Sequence, residues 1–337
     1  MIKALVTGGG GFLGRYIVEQ LIARGDAVRV FTRGDYPALA RLGAQVIRGD
    51  IADAQAIHQA CAGVDVVFHV AAHASLWGTW DAFYRPNVVG TEHVITACQA
   101  QGIPKLVYTS SPSVIFNNQS HDGADESLPY PTHYESFYAQ TKATAEQKVI
   151  HANSPALLTV SLRPHLIWGP RDTKILPRLI ARARAGRLIQ VGAGTNRVDL
   201  TYVEDAASAH LLAADALTSG SAVAGSVYFI SQDDPVALWP WINQLLARLN
   251  IPTVKRRVPL RTARAIGGLL EWAYRFLRLP GEPRLTRFLA SELALNHHYN
   301  IARARRDLGY HPSYNMTEAF EKTVAYFQSE RRTSEQR

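Results

Sequence analysis

The stretch "ALVTGGGGFLGRYIVEQLIARG" at residues 4–25 carries the strongest structural signal in the chain. An apolar, β-branched run leads into four consecutive glycines, and a helical pattern of apolar residues follows. The glycines fit two registers, Gly8-x-x-Gly11-x-x-Gly14 and Gly9-x-Gly11-x-x-Gly14, and the pattern alone does not choose between them. A tight turn explains one glycine, whereas a loop that holds a pyrophosphate at a helix N-terminus explains all four.

The same alternation of strand-like and helix-like runs continues along the first half of the chain. We predict strands at 2–7, 27–32, 44–49, 65–71, 105–111 and 158–164, and helices at 12–24, 53–61, 80–101 and 135–152. Nearly continuous apolar strands separated by helices are typical of a parallel sheet that is covered on both faces. We therefore predict an α/β fold with a doubly wound, Rossmann-type parallel sheet.

The rhythm changes after the sixth strand, where we place a domain boundary. Residues 1–165 are predicted to form the nucleotide-binding domain, 166–330 a smaller, mixed but mainly helical substrate lobe, and 331–337 a tail. Within the lobe, parts of 200–232 are predicted to return to the sheet, including a strand at 227–231. The lobe should cover the carboxyl edge of the sheet, where open α/β sheets bind their ligands.

Composition narrows the class of protein. The 337 residues are 47% apolar and 19% charged, which is typical of a soluble globular chain. No apolar run is long enough for a membrane span, and a strand-like run at the N-terminus leaves no room for a signal peptide. Two cysteines in helical segments suit a reduced compartment, so we predict a cytoplasmic location. The net charge of +8 is spread over helical segments without interleaved aromatic residues, so we predict no nucleic-acid partner. We also predict no metal ion.

The tip of the second predicted strand bears on the choice of cofactor. An acidic residue there would bind the ribose hydroxyls of NAD, but this chain has Thr32 and Arg33. An arginine can pair with the 2′-phosphate of NADP, and a threonine can donate to it. We therefore favour NADP(H) over NAD(H), although Asp35 follows closely and Arg33 could instead be a solvated loop charge.

Eight motifs together resemble the extended short-chain dehydrogenases/reductases. They occur in that family's order and are "TGGGGFLG" (7–14), "GDI" (49–51), "HVAA" (69–72), "NVVGT" (87–91), "YTSSPSV" (108–114), "YAQTK" (138–142), "RPHLIWGP" (163–170) and "YVEDAASAH" (202–210). The resemblance implies that Tyr138 is the general acid/base and that Lys142 lowers its pKa and holds the nicotinamide ribose. The two side chains share one helix face, and a nearby positive charge favours the phenolate.

The resemblance also assigns the supporting residues. It implies that Ser111 hydrogen-bonds the substrate oxygen, with Ser110 and Ser113 as alternative serines, and that Asn87 stabilises the site from the helix beneath it. Asp50 and Ile51 would meet the adenine, and Ala71 and Ala72 would line the cofactor path. The full set of predicted cofactor contacts is Gly8, Gly11, Phe12, Leu13, Gly14, Thr32, Arg33, Asp50, Ile51, Ala71, Ala72, Tyr138, Lys142 and Pro164.

Further runs are similar to the 2-alkyl-3-oxoalkanoate reductases of bacterial olefin biosynthesis. These runs are "FTRGDYPAL", "SSPSVIF", "RPHLIWGPRD", "LPRLIARARAGRL" and "RLPGEPRLTRFL". The resemblance implies reversible, NADPH-dependent reduction of a hydrophobic β-keto acid to the 3-hydroxy acid. The related 3β-hydroxysteroid and sterol-4-carboxylate 3-dehydrogenases are the alternative. A nucleotide-sugar epimerase or dehydratase shares the Ser-Tyr-Lys set, and a non-catalytic NADP-binding regulator shares the fold.

The substrate side of the site is less clearly marked. His73 and Trp77 follow the fourth strand and are candidates for the pocket, together with Ser111, while Arg171 and Arg197 are candidates for a substrate carboxylate.

The segment "RTARAIGGLLEWAYRFLRLPG" at 261–281 has apolar residues at helical spacing with interleaved arginines. It predicts a helix that packs on the core, lines a hydrophobic channel or touches a membrane surface. The family resemblance implies a homodimer, and a contact with another enzyme of the pathway is the alternative to a membrane contact.

Overall fold

The structure is a computed structural model that describes residues 1–335, with side chains described as far as residue 330. In chain order the strands are β1 (Lys3–Thr7), β2 (Ala27–Thr32), β3 (Gln45–Arg48), β4 (Val66–His69), β5 (Lys105–Thr109), β6 (His121–Ala124), β7 (Leu158–Pro164), β8 (Ile167–Trp168), β9 (Gln190–Val191), β10 (Arg197–Val198), β11 (Thr201–Tyr202), β12 (Ser226–Ile230), β13 (Val236–Ala237), β14 (Arg257–Val258) and β15 (His297–Tyr299). The α-helices are α1 (Phe12–Ala23), α2 (Pro37–Arg41), α3 (Ala54–Cys61), α4 (Trp80–Tyr84), α5 (Gly90–Ala100), α6 (Phe137–His151), α7 (Ile175–Arg184), α8 (Val203–Ala216), α9 (Leu238–Arg248), α10 (Leu260–Phe276), α11 (Arg287–Glu292), α12 (Ala302–Leu308) and α13 (Met316–Glu335).

Seven parallel strands form the central sheet, in the order β12-β7-β5-β4-β1-β2-β3. The predicted doubly wound parallel sheet is therefore confirmed. The chain builds outward from β1 to β3 and then returns to place β4 on the other side of β1. The loops after β1 and β4 consequently meet at the point where the strand order reverses, which is the usual ligand position in such sheets.

Both faces of the sheet are apolar because successive side chains of a strand point to opposite faces. In β1, Ala4 and Val6 belong to a core shared with α1 and α8, while Leu5 belongs to a second core shared with α3 and α5. This alternation explains why the strands appear as nearly unbroken apolar runs in the sequence.

The C-terminal part of the chain has a third core of its own. Trp168, Trp239 and Trp241 are buried in it, together with apolar residues from α7 and α9. Two segments from this part also join the central sheet, since β12 pairs with β7 and α8 packs against α1. The domain boundary at residue 165 stays a prediction. Part of the predicted tail is helical, because α13 continues to Glu335, and 336–337 lie outside the described residues.

The single helix predicted at 80–101 is interrupted. α4 ends at Tyr84, a π-helical turn covers Arg85–Val89, and α5 continues from Gly90. Pro86 lies in this turn and has no N–H to donate, which disfavours a regular α-helical ladder there. The widened turn contains Asn87, whose side chain is used in the candidate site.

Candidate active site

Tyr138 and Ser111 are brought together at the carboxyl edge of the sheet. Tyr138 lies in the first turn of α6, and Ser111 follows β5 in an extended conformation. The Ser111 side chain lies close enough to the phenol to affect its pKa, and the Ser113 hydroxyl donates to Ser111 Oγ at 3.0 Å. Ser110 Oγ is buried without a described partner. Of the three candidate serines, Ser111 is therefore the one that meets the phenol.

Lys142 lies one helical turn after Tyr138 and is buried. Its Nζ donates to the carbonyl oxygen of Thr109 at 2.5 Å and lies 4.0 Å from the centroid of the Tyr108 ring. The ammonium group is thus held against the end of β5. Tyr138 and Lys142 share a helix face, as their spacing predicts, and Ser111 completes the group from the neighbouring strand end.

The pKa of Tyr138 differs from the sequence expectation, and the pKa of Lys142 is also shifted. Partial burial raises the pKa of Tyr138, and the neighbouring Ser111 side chain lowers it only in part. Lys142, whose Nζ donates to the Thr109 carbonyl, does not offset this rise, and its predicted role beside a bound cofactor stays a prediction. Burial lowers the pKa of Lys142 to about 7, while Glu146 opposes that change. The phenol therefore keeps its proton at neutral pH, as a proton donor requires.

The low pKa of Lys142 predicts a pH-dependent stability. Between about pH 7 and its ordinary pKa near 10.4, the unfolded chain binds a proton that the folded chain lacks. The contribution of Lys142 to the free energy of unfolding should therefore rise with pH, by up to about 1.4 kcal/mol per pH unit. Urea unfolding of the wild type and of Lys142→Met, measured from neutral to alkaline pH, should show this slope in the wild type alone. The exposed Lys255→Met is the matched control and should keep the slope. Parallel curves for the wild type and Lys142→Met would contradict the assignment.

Asn87 connects the loop after β4 to the helix that carries Tyr138. Its Oδ1 accepts from the His73 N–H at 2.7 Å, and its Nδ2 donates to the His73 carbonyl at 3.2 Å and to Thr141 Oγ1 at 3.1 Å. Thr141 in turn donates to the Tyr138 carbonyl at 3.1 Å. The predicted supporting role of Asn87 thus has a direct geometric basis.

A buried polar chain behind Asn87 was not predicted. His69 Nδ1 lies 2.7 Å from Thr7 Oγ1, and His69 Nε2 lies 2.9 Å from Thr91 Oγ1, which donates to the Asn87 carbonyl at 2.6 Å. Burial lowers the pKa of His69 to about 3, so its imidazole is neutral at physiological pH. The signal was present as Thr91 four residues after Asn87, which is one helical turn.

The glycine loop adopts the register Gly8-x-x-Gly11-x-x-Gly14. Gly8 has a φ of +71°, and a Cβ there would lie 2.8 Å from Ala71 Cα. Gly9 has no such φ. A Cβ on Gly14 would lie 2.4 Å from the Gly8 carbonyl oxygen, because α1 packs directly against the loop. Glycine is required at both ends of this register.

The start of α1 fits the pyrophosphate of a dinucleotide. Gly11 is its N-cap and offers no side chain to the free N–H groups, and no acidic residue lies in the first turn. Phe12 is the first helical residue, and Leu13 is buried beneath it. Unpaired N–H groups and the positive end of the helix dipole favour an anion at this place.

Arg33 is available for a further phosphate. Its side chain is exposed beyond the end of β2, and nothing in the described part of the chain forms a hydrogen bond or ion pair with the guanidinium. Thr32 is nearly buried, and its carbonyl accepts from the Gly49 N–H at 3.0 Å. Tyr36 was not predicted, but its ring lies against Gly10, in the position that a Cβ would occupy.

The other predicted cofactor residues lie at the carboxyl ends of neighbouring strands. Asp50 and Ile51 follow β3, where Asp50 accepts from the Ala52 N–H at 3.0 Å. The predicted residues of the two remaining strand ends are Ala71 and Ala72 after β4 and Pro164 as the last residue of β7. These positions lie along the same edge of the sheet as the loop that precedes α1.

His73 and Trp77 lie on the loop between β4 and α4. The His73 ring packs edge-on against Phe83 at 4.8 Å between centroids. Trp77 packs edge-on against Tyr274 of α10 at 6.3 Å, and the Arg275 guanidinium lies 5.2 Å from the Trp77 ring. The C-terminal lobe therefore forms part of the rim around this loop.

Arg171 and Arg197 were candidates for a substrate carboxylate, and the structure gives each of them contacts within the protein. Arg171 Nη1 and Nη2 donate to Glu19 at 2.7 and 2.8 Å, and its Nε donates to the Tyr16 hydroxyl at 3.1 Å. The donors of its guanidinium are therefore already bonded to side chains of α1. Arg197 lies exposed on β10 and donates to the Pro235 carbonyl at 3.2 Å. No described contact joins Arg197 to Tyr138.

Comparison with known proteins agrees with this geometry. The profile of the 3-beta hydroxysteroid dehydrogenase/isomerase family matches residues 5–260. The chain belongs to this family. The 2-alkyl-3-oxoalkanoate reductase of Stenotrophomonas maltophilia is 49% identical over 96% of this chain and 99% of its own length. The human decarboxylating sterol-4-alpha-carboxylate 3-dehydrogenase is 36% identical over 98% of this chain and 89% of its own length.

The family placement confirms the resemblance to extended short-chain dehydrogenases/reductases, and this member of the 3-beta hydroxysteroid dehydrogenase family is an oxidoreductase. A solved structure titled MoeE5 in complex with UDP-glucose and NAD shares the fold. It is 22% identical, covers 97% of this chain and 99% of its own, and superposes with a TM-score of 0.75.

Proposed function

We propose that the chain reduces a hydrophobic 2-alkyl-3-oxoalkanoate to the 3-hydroxy acid with NADPH, in a reversible reaction. The observation that carries this proposal is the placement of Ser111 beside Tyr138 at the end of β5, with Lys142 buried one helical turn away. This group lies at the same sheet edge as a glycine loop that fits a dinucleotide. A non-catalytic regulator would have no need for the complete set.

The chemistry of each side chain follows from its surroundings. When bound, the reduced nicotinamide supplies the hydride. Ser111 donates a hydrogen bond to the substrate oxygen and stabilises the charge that develops on it. Tyr138, whose raised pKa keeps it protonated, gives its proton to that oxygen. Lys142 would hold the ribose of the bound cofactor. Asn87 fixes the helix of Tyr138 against the loop after β4 through its hydrogen bonds.

Arg33 supports NADP(H) as the cofactor. A free guanidinium can form charge-assisted hydrogen bonds with a 2′-phosphate, whereas NADH has a neutral hydroxyl at that position. No acidic residue follows β2 directly, and the first one, Asp35, lies two residues beyond Arg33.

The substrate class is supported by the relative that is 49% identical along nearly the whole chain and is named 2-alkyl-3-oxoalkanoate reductase. The second candidate is oxidation at C3 of a sterol 4-carboxylate, which the 36% identical human relative favours. Both substrates have a secondary alcohol or ketone β to a carboxylate, with a branched carbon between. The same Ser111 and Tyr138 geometry therefore serves either of them.

NADPH oxidation against a panel of acceptors tests the proposal. We expect turnover with a synthetic long-chain 2-alkyl-3-oxo acid and little with a 3-ketosteroid or a UDP-sugar. Turnover of the ketosteroid alone would favour the second candidate. Activity on the UDP-sugar without activity on the keto acid would overturn both.

A further inference from the structure

One face of α10 and the loop after it expose large apolar side chains to solvent. Among the described residues, ten large apolar side chains are exposed, and six of them lie in this segment. We call these six the apolar face: Ile266, Leu269, Trp272, Phe276, Leu277 and Leu279. Phe276 is 70% exposed and Trp272 is 59% exposed, and their rings stack at 5.2 Å between centroids. An exposed apolar patch of this kind marks an interaction site.

The opposite side of α10 is firmly packed, so the apolar face cannot turn inward. A Cβ on Gly267 would lie 2.7 Å from the backbone carbon of Thr286, which shows how closely the helix approaches its neighbour. Glu271 is buried and accepts from the Arg287 N–H at 2.7 Å and from Arg287 Nε at 2.9 Å. The helix is thereby held with its aromatic side chains pointing outward.

The surroundings of the apolar face are strongly cationic. Residues 253–289 contain nine basic and only two acidic side chains, in a chain whose total net charge is +8. Both acidic groups are engaged, Glu271 with Arg287 and Glu282 with Ser75 and Arg178. The exposed basic residues of this segment are Lys255, Arg256, Arg257, Arg261, Arg275, Arg278 and Arg284.

We propose that the apolar face docks the protein on an anionic lipid bilayer. Aromatic and aliphatic side chains flanked by arginines suit the boundary between acyl chains and negatively charged headgroups. None of the described helices is long and apolar enough to cross a membrane, so the contact is interfacial. A second copy is a poorer occupant, because a two-fold interface would place this cationic segment against itself.

The docking surface adjoins the candidate active site. Tyr274 of α10 packs against Trp77, and Arg275 lies 5.6 Å from the ring of Phe137, the residue before Tyr138. Docking would hold the rim of the site against the lipid surface, where long-chain acids partition. The lipid contact does not depend on which substrate is reduced, so its failure would leave the proposed reaction standing.

Vesicle co-sedimentation tests the proposal with the full chain. The probes are phosphatidylcholine vesicles with and without phosphatidylglycerol, at low and high salt. We expect binding to the anionic vesicles and weakening by salt. The double variant Trp272→Glu/Phe276→Glu should lower the partition coefficient at least about tenfold, because two aromatic side chains no longer enter the interface. Leu42 is also exposed and apolar but lies far from α10 in the sequence, so Leu42→Glu should bind like the wild type.

Each other outcome overturns the proposal. Absence of wild-type binding to anionic vesicles excludes a lipid surface, and equal binding by the double variant assigns the contact to another face. Equal binding to neutral and anionic vesicles would show that the arginines do not contribute to docking. A wild-type dimer in gel filtration that the double variant converts to a monomer, without vesicle binding, would make a second copy the occupant. Retained NADPH binding by the double variant checks that it is folded.

Discussion

Tyr138→Phe is expected to lower kcat by about 10²–10⁴-fold, the range that general acid catalysis contributes. The substitution removes the hydroxyl that lies beside Ser111 and leaves the ring in place. Because Lys142 is held by the Thr109 carbonyl rather than by the phenol, the ribose-binding side of the site should survive. Stopped-flow turnover and NADPH titration by fluorescence would separate the two effects, with the dissociation constant of NADPH changing little.

Tyr134→Phe is the matched control for this experiment. The Tyr134 hydroxyl donates to the Val114 carbonyl at 2.9 Å and has no place in the proposed proton transfer. We expect near-wild-type turnover from it. Full activity of Tyr138→Phe would remove the general acid from the scheme, and equal losses from both variants would point to a packing effect.

Arg33→Ala is expected to reduce kcat/KM for NADPH by about 10–100-fold and to leave kcat/KM for NADH nearly unchanged. The estimate follows from the energy of hydrogen bonds to a charged group, about 1.5–3 kcal/mol. The guanidinium has no described protein partner, so removing it leaves no other group unpaired. Parallel kinetics with the two cofactors measure the selectivity directly.

Arg41→Ala provides the control for Arg33. Arg41 is also exposed, lies on the nearby helix α2 and donates only to the Pro37 carbonyl, at 3.4 Å. Its loss should leave the ratio of the two cofactor efficiencies unchanged. A wild-type preference for NADH, or equal losses with both cofactors in Arg33→Ala, would refute the 2′-phosphate assignment.

Local patterns were sufficient to predict the sheet and the loop of α1. The strands are buried on both faces, so their sequences are nearly continuous apolar runs, and the glycines mark a close approach that no other residue permits. The π-helical turn at Arg85–Val89 was missed because the sequence around it is helical on both sides and only Pro86 interrupts the ladder.

Contacts between distant segments could not be predicted. Arg171 is bound by Glu19 across 152 positions of sequence, and no local pattern shows that its charge is already used. The raised pKa of Tyr138 likewise depends on how the site excludes water. The apolar spacing at 261–281 predicted a helix with one apolar face. The structure shows that Ile266, Leu269 and Leu277 of that spacing are exposed, together with Trp272 and Phe276. The homodimer stays a prediction.

The most direct measurement of the central claim uses NADPH that carries deuterium at the transferable C4 position. It is incubated with the wild-type chain and a long-chain 2-alkyl-3-oxo acid, and the product is analysed by mass spectrometry and NMR. The proposed reaction predicts one deuterium at C3 of the 3-hydroxy acid for each NADPH oxidised. Absence of label at C3, or oxidation of NADPH without formation of the hydroxy acid, would contradict it.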